Sequence, residues 1–375
     1  MKASLRVTVI SIGELFGGVE RHLLGLAEYL SSRVDHLQVI LFHDRTLARE
    51  LRDRGIEPTI IHFRFPFDPR QVFRLRAVLT ASPTDVIHVH GYKATVLTSL
   101  CGHSCGIVTV KTEHGMIEPL QDRMIDALKA RLYSGLDLWA TRRSCATVCY
   151  VTNDLHKHLM NQHGGIRQHV VYNGIEPLSP ERYTRPTEFD TGHYHIVIAG
   201  RVDVVKGIAH AVKAIAHPST PKAVRLNIIG DGPLTDYLKA LSDKLGVASQ
   251  VRFLGFKSDV YRYLAHADTL LLPSLHEGLP YILLEAMSLG LPIIASRVGG
   301  LAEILEHGRT ALLVPPENPD AIADAIATLH ANPEVARALG NAAALEQRQH
   351  FDLAAMGARY MEIYAEAASA AGAHV

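Results

Sequence analysis

The feature that most constrains this chain is an alternation that runs almost its whole length. Short apolar runs alternate with segments of helical periodicity. LRVTVIS (5–11), HLQVILF (36–42), DVIHVH (85–90), GIVTVKT (106–112) and ATVCYVT (146–152) read as strands. Runs that are apolar on both faces suit a parallel sheet covered by helices on each side. The pattern breaks at GIEPLSPERYTRPTEFDTGHY, which has three prolines and little periodicity. It restarts at HIVIAGR (195–201) and continues through RLNIIG, VRFLG, TLLLP, PIIAS and ALLVP. Repeated strand–helix units predict an α/β fold built as two doubly wound, Rossmann-like domains. We place the domains at 1–178 and 195–352, with a linker at 179–194. A last helical pattern, 353–369, has no strand after it and is expected to pack elsewhere, back across on the N-terminal domain. Two such sheets facing across a cleft would hold ligand at the C-terminal ends of their strands.

Length and composition narrow the classes. A chain of 375 residues with 47% hydrophobic content supports a core in each domain. No apolar run is long enough to cross a membrane, and MKASLRVTVIS reads as a strand, not a leader. The expected location is therefore cytoplasmic. Net charge is zero, so nucleic acid is not an expected partner. The first 178 residues hold 21 Lys and Arg against 17 Asp and Glu, a mildly basic half. Four cysteines fall as Cys101/Cys105 and Cys145/Cys149, with His103 inside the first pair; buried reduced thiols fit that spacing better than a metal site. FRFPFDPRQVFRLR (63–76) mixes four phenylalanines with four arginines, a composition that suits peripheral contact with an anionic membrane. Its alternative is a strand-to-helix connection with core side chains.

One stretch carries the strongest chemical signal. SLHEGLPYILLE (274–285) lies between two strand-like runs, so it reads as a tight loop entering a helix. Pro280 fits a first helical turn, because it lacks an N–H. The N–H groups of Gly278 and Leu279 would then point forward and favour an anion. Glu277 would stand at the mouth of that site. Glu285 would stand in the helix, roughly 8–12 Å further along. Hydroxyl-binding carboxylates with an anion site between them suit a nucleotide sugar. A second loop, Gly200 to Gly207, carries Arg201 and Lys206 beside two glycines, and these cations could neutralise a diphosphate. Taken alone they could equally be solvated. Gly230 opens another strand-end turn. Gly17 and Gly18 precede a helix and allow close backbone approach to an anion, or simply make a turn. His114 ends a strand and could contact substrate, although a lone histidine is more often structural. His88 and His90 read as structural. There is no dinucleotide fingerprint, P-loop or G-x-S-x-G. No Asp-x-Asp occurs that would hold a metal-bound diphosphate.

These residues resemble a known family over nearly the whole chain, the retaining glycosyltransferase family 4 of GT-B fold. The matching motifs are Gly17-Gly18-Val19-Glu20-Arg21, DVIHVHG, Thr112 to Gly115, Asn173-Gly174-Ile175, Gly200-Arg201 with Lys206, Gly230 to Pro233, Pro273-Ser274, and Glu277-x7-Glu285 enclosing Gly278-Leu279-Pro280. The resemblance implies sugar transfer from a nucleotide-sugar donor, with retention and without metal or other cofactor. It implies that Glu277 contacts donor sugar hydroxyls and that Glu285 binds the ribose. Arg201 and Lys206 would hold the diphosphate, and His114 would sit beside the sugar. Gly18 would approach the phosphate, and Phe256 would lie near the base. The expected acceptor is a glycan or lipid-linked molecule at the inner membrane face, in surface polysaccharide synthesis. A sugar-nucleotide 2-epimerase of the same fold and a non-catalytic sugar-nucleotide-binding subunit are the alternatives.

Overall fold

The computed structural model describes residues 3–14, 17–63, 68–102, 107–115 and 124–372. The chain divides into two compact units. One holds residues 1–174 and 353–375, and the other holds residues 175–352.

The first unit is a seven-stranded parallel sheet. Its strands are β1 (Ala3–Ser11), β2 (Val34–Leu41), β3 (Thr59–Ile60), β4 (Val86–His90), β5 (Val108–Glu113), β6 (Cys145–Tyr150) and β7 (Arg167–Val170). Their order is β3-β2-β1-β4-β5-β6-β7. The chain winds outward to β3, then returns beside β1 and winds the other way, so the switch lies between β1 and β4. Side chains alternate along β1, as a strand requires. Val7 and Val9 enter the core under the helices Gly18–Ser31, Thr46–Asp53 and Leu353–Ala370. Ile10 enters the core under Arg70–Ala81 and Tyr92–Cys101.

The last helix, Leu353–Ala370, is built into this first unit. It packs along Gly18–Ser31. Gly357 permits that approach, since a Cβ there would stand 2.3 Å from the Tyr29 ring. Tyr360 and Tyr364 are fully buried. Their hydroxyls reach the sheet, Tyr360 bonding Thr112 Oγ1 at 2.9 Å and Tyr364 bonding His88 Nδ1 at 2.7 Å. A buried tyrosine hydroxyl needs such a partner.

The second unit is a six-stranded parallel sheet. Its strands are β8 (Tyr194–Ala199), β9 (Val224–Ile229), β10 (Val251–Gly255), β11 (Thr269–Leu272), β12 (Ile293–Ser296) and β13 (Leu312–Val314). Their order is β10-β9-β8-β11-β12-β13. Here the switch lies between β8 and β11, paired at Ile196↔Thr269 and Val197↔Leu270.

Residues 179–194 belong to this second unit. Phe189 is buried and stacks on His195 with centroids 4.2 Å apart. Glu188 bonds Lys257 at 3.0 Å and Tyr263 at 2.9 Å. The proline-rich composition gives a stretch without periodicity, but these anchors hold it against the sheet. The chain enters the unit at Ile175 and leaves at Asp352, and the two residues form a β-bridge.

Candidate active site

In an open parallel sheet the carboxyl ends of the strands at the switch form a crevice where ligands bind. In the second unit those ends belong to β8 and β11. The loops that follow them are the two loops singled out in the sequence.

The loop after β8 brings Arg201 and Lys206 to this edge. Asp203 shapes it: one carboxylate oxygen takes the Arg201 Nε–H at 2.6 Å, and the other takes the Lys206 N–H at 3.3 Å. The short 3₁₀ turn Val204–Lys206 follows, and Gly207 turns left-handed at φ +61°. A Cβ at Gly207 would lie 2.0 Å from the Pro273 carbonyl oxygen, so the loops after β8 and β11 touch backbone to backbone. The Leu275 N–H also donates to Val205 O at 2.8 Å.

That contact sets Lys206 against Glu277. Lys206 Nζ donates to Glu277 Oε1 at 2.6 Å, and Ser274 Oγ donates to the same oxygen at 2.8 Å. Glu277 is only 9% exposed, whereas the Lys206 and Arg201 side chains are 29% and 52% exposed. A small cleft lies here, walled by Gly200, Arg201, Lys206, Pro273, Ser274 and Glu277 among others. The arrangement offers two cations to an anion and one carboxylate to hydroxyls.

The remaining residues of the stretch fall as follows. The helix begins at Tyr281 with Pro280 as its N-cap, one residue later than the sequence reading. Leu279 is buried and has an interaction partner. Gly278 lies between Glu277 and Leu279, half-buried. Glu285 is 2% exposed, inside the helix.

Gly230 serves packing. A Cβ there would stand 1.9 Å from the Gly200 carbonyl oxygen, at φ +126°. The turn after β9 therefore bears directly on the Arg201 loop. Gly230→Ala should destabilise the second unit by about 1–3 kcal/mol through overpacking, read as a lower urea midpoint. An unchanged midpoint would remove this role. Phe256 is 67% exposed beyond β10, and its N–H donates to Asp231 Oδ2 at 3.0 Å. That bond fixes the Phe256 backbone at the end of β10, two strands from β8, and leaves the ring exposed.

The first unit has its own polar centre at the ends of β4 and β5. His90 Nδ1 and His114 Nε2 lie 3.0 Å apart. The His22 ring meets both, with centroids 5.3 Å from His90 and 4.8 Å from His114. His22 Nδ1 bonds Asn173 Oδ1 at 2.9 Å, and His88 Nε2 bonds Thr112 Oγ1 at 2.7 Å. Burial pushes His22 down to about 4, although its Asn173 bond pulls upward. Burial, then neighbouring histidine charge, holds His88, His90 and His114 well below the usual range. All four are neutral near pH 7. His114 is thus a member of a cluster and not a lone strand-end residue.

Lys111, one strand position from Thr112, is fully buried. It contacts Glu113 at 2.5 Å and Asp137 at 2.7 Å. Burial alone would depress its ammonium, but those two carboxylates outweigh it and raise its pKa.

Gly17 and Gly18 begin the helix Gly18–Ser31 as N-cap and first residue. The Gly17 N–H already donates to Glu20 Oε2 at 3.0 Å, so an anion there would compete with Glu20. Cys101, Cys145 and Cys149 are buried free thiols, and burial pushes Cys101 up to about 11 and Cys145 to about 12. Cys105 and His103 lie outside the described residues.

Comparison with known families fixes what this arrangement belongs to. Residues 16–177 match the model "Glycosyltransferase Family 4", and residues 180–346 match "Glycosyl transferases group 1". The chain belongs to the family 4-type glycosyltransferases. The uncharacterized glycosyltransferase MJ1607 of Methanocaldococcus jannaschii is 29% identical over 82% of this chain and 84% of its own. The lipopolysaccharide core biosynthesis glycosyltransferase LpsD of Rhizobium meliloti is 30% identical over 45% of this chain and 48% of its own. Among solved structures, Anabaena Alr3699/HepE in complex with UDP and glucose superposes with TM-score 0.83 at 21% identity. It covers 96% of this chain and 99% of that one. The shared fold is GT-B.

Of three further residues of this glycosyltransferase, Asp203 and His22 carried no signal of their own beforehand, and Ser274 was marked only as part of the Pro273-Ser274 motif. Ser274 orients Glu277, Asp203 orients Arg201, and His22 completes the histidine cluster. Ser274 stands at i, i+3 from Glu277 and Asp203 at i+2 from Arg201, spacings that a search for side chain–side chain bonds within loops could find. His22 sits in a helix and meets Asn173 from 151 positions away, so no local pattern marks it.

Proposed function

We propose that this enzyme transfers a sugar from a nucleotide-sugar donor, with retention of anomeric configuration and without a metal, to a hydroxyl of a glycan or lipid-linked acceptor. The product would be part of a surface polysaccharide. The observation that carries this reading is the Lys206–Glu277 pair at the β8/β11 switch, with Arg201 beside it. Support for a uridine nucleotide comes from the UDP and glucose bound by the Anabaena protein, and support for a cell-surface glycan from the name of the Rhizobium relative.

The chemistry follows from charge. As the glycosidic bond breaks, negative charge grows on the departing diphosphate and positive charge on the anomeric carbon. Arg201 and Lys206 stabilise the diphosphate by electrostatics fixed in advance. The Lys206 ammonium has three N–H donors and gives one to Glu277, so it can turn others to a phosphate. Glu277 accepts from sugar hydroxyls, and Ser274 holds its orientation. Glu285 takes the ribose, and the base lies toward Phe256. Under this reading the reaction runs in the cytoplasm, at the inner face of the membrane.

Thermal unfolding in a panel of nucleotide sugars tests the donor. One present at about 100 times its Kd stabilises by about 2.7 kcal/mol. Transfer of radiolabel from that donor into membrane extracts should survive EDTA, and the new linkage should keep the donor's anomeric form by NMR. Loss of transfer with chelator, or an inverted product, would overturn the corresponding part of the proposal. A new epimer formed from donor alone would favour an epimerase.

A further inference from the structure

The two faces of the first sheet are charged differently. On one, the helices Gly18–Ser31, Thr46–Asp53 and Leu353–Ala370 carry acids among their bases, including Glu28, Glu50 and Glu362. On the other lie Arg70–Ala81, Tyr92–Cys101 and Met124–Ser144. Cys101 Sγ meets Val72 O at 3.4 Å, and Tyr92 stacks on Tyr133 at 5.0 Å, so these three helices stand side by side. Residues 70–81, 92–101 and 128–144 hold eight Lys and Arg and one acid. That acid, Asp137, is buried against Lys111. Arg70, Arg74, Arg76, Arg131, Arg142 and Arg143 are all exposed.

The same helices expose large apolar side chains. Leu128, Leu132, Leu136 and Trp139 follow helical spacing and are 69%, 58%, 42% and 45% exposed. They form one stripe along the helix. Phe73, at 72%, and Leu100, at 51%, add to it from the neighbouring helices. A core-facing stripe would be covered, and a solvated one would carry acids as well as bases. An apolar ridge whose exposed charges among the described side chains are all cations matches an anionic bilayer, with acyl chains for leucine, phosphate for arginine, and the headgroup boundary for tryptophan.

We propose that this three-helix face docks the enzyme on an anionic phospholipid surface. Of the arginine and phenylalanine stretch at 63–76, residues 64–67 lie outside the described residues, and Phe73 with its arginines forms one edge of the face. The proposal deepens the lipid-linked acceptor reading. Vesicle binding is measured with neither donor nor acceptor, so the two readings fail separately.

Trp139 is the sole tryptophan of the chain, so its emission reports on this face alone. With the full chain, phosphatidylglycerol-containing vesicles should shift that emission to the blue and carry the protein in a flotation gradient. Pure phosphatidylcholine vesicles should do neither, and raised salt should weaken the binding. Arg131→Ala with Arg143→Ala should weaken partitioning roughly thirtyfold, at the free energy each basic side chain gains near an anionic leaflet. Leu128→Ser with Leu132→Ser should abolish the blue shift while the circular dichroism stays native. The idea fails if wild-type emission does not move on anionic vesicles, or if both double variants bind as wild type does. It also fails if light scattering shows a dimer that Leu128→Ser with Leu132→Ser dissolves, since a second copy would then cover the face.

Discussion

Replacing Lys206 with alanine should lower kcat/KM by about two to three orders of magnitude, the usual cost of removing one transition-state charge stabiliser. Stability should barely change. The Lys206 side chain is 29% exposed and stands at the cleft, so water can replace its ammonium. Glu277 keeps its second donor, Ser274, at 2.8 Å. Lys206→Arg retains the charge but presents a planar fork in place of a point charge, so it should recover activity only in part. A double-mutant cycle with Glu277→Ala separates chemistry from architecture. If Lys206 serves the diphosphate and Glu277 the sugar, the two losses in log kcat/KM approach additivity beyond their mutual contact. If the pair only braces the loops, the double variant costs no more than either single one. Activity of Lys206→Ala within tenfold of wild type would remove Lys206 from the site.

Much of that site was legible in the sequence because its parts are local. Glycines, a proline and charged residues cluster at strand ends, and a strand end at a topological switch is where an open sheet binds ligands. Alternating apolar runs likewise gave two parallel sheets, since strands buried on both faces have little else to form. What stayed hidden is what distance in sequence conceals. Lys206 and Glu277 are 71 residues apart, and only the touching backbones at Gly207 and Pro273 reveal that they pair. Gly230 reads as a strand-end turn, and only the fold shows that it has no room for a Cβ. His88 and His90 read as structural, but nothing local showed that His22 and two tyrosines of the last helix converge on them. Lys111 in a buried strand would ordinarily be unfavourable. Its partners Glu113 and Asp137 lie on different elements, and only folding brings the second one near.

The histidine cluster makes acid the weak point of the first unit. His22 is held down to about 4, and His88, His90 and His114 well below the ordinary value, chiefly by burial. His163 in the same unit is also held to about 4, by burial and then by Lys111. In the unfolded chain each returns to about 6.5. Between those values the unfolded state binds protons that the folded state refuses, so stability rises with pH there. The stabilising contribution is complete above about pH 6.5 and drains away as pH falls toward the folded values. Each neutral histidine costs about 1.4 kcal/mol per pH unit in that window. Five acting together approach about 7 kcal/mol per unit, set against a typical domain stability of about 5–15 kcal/mol. Urea unfolding followed by circular dichroism from pH 7.5 to 5.0 should therefore show one transition collapsing steeply below pH 6.5. His88→Gln, which keeps a polar group but cannot titrate, should reduce the slope by about a fifth, near 1.4 kcal/mol per unit. A midpoint that stays level from pH 7 to 5 would mean that the cluster takes up protons without unfolding, and that its burial is not what keeps it neutral.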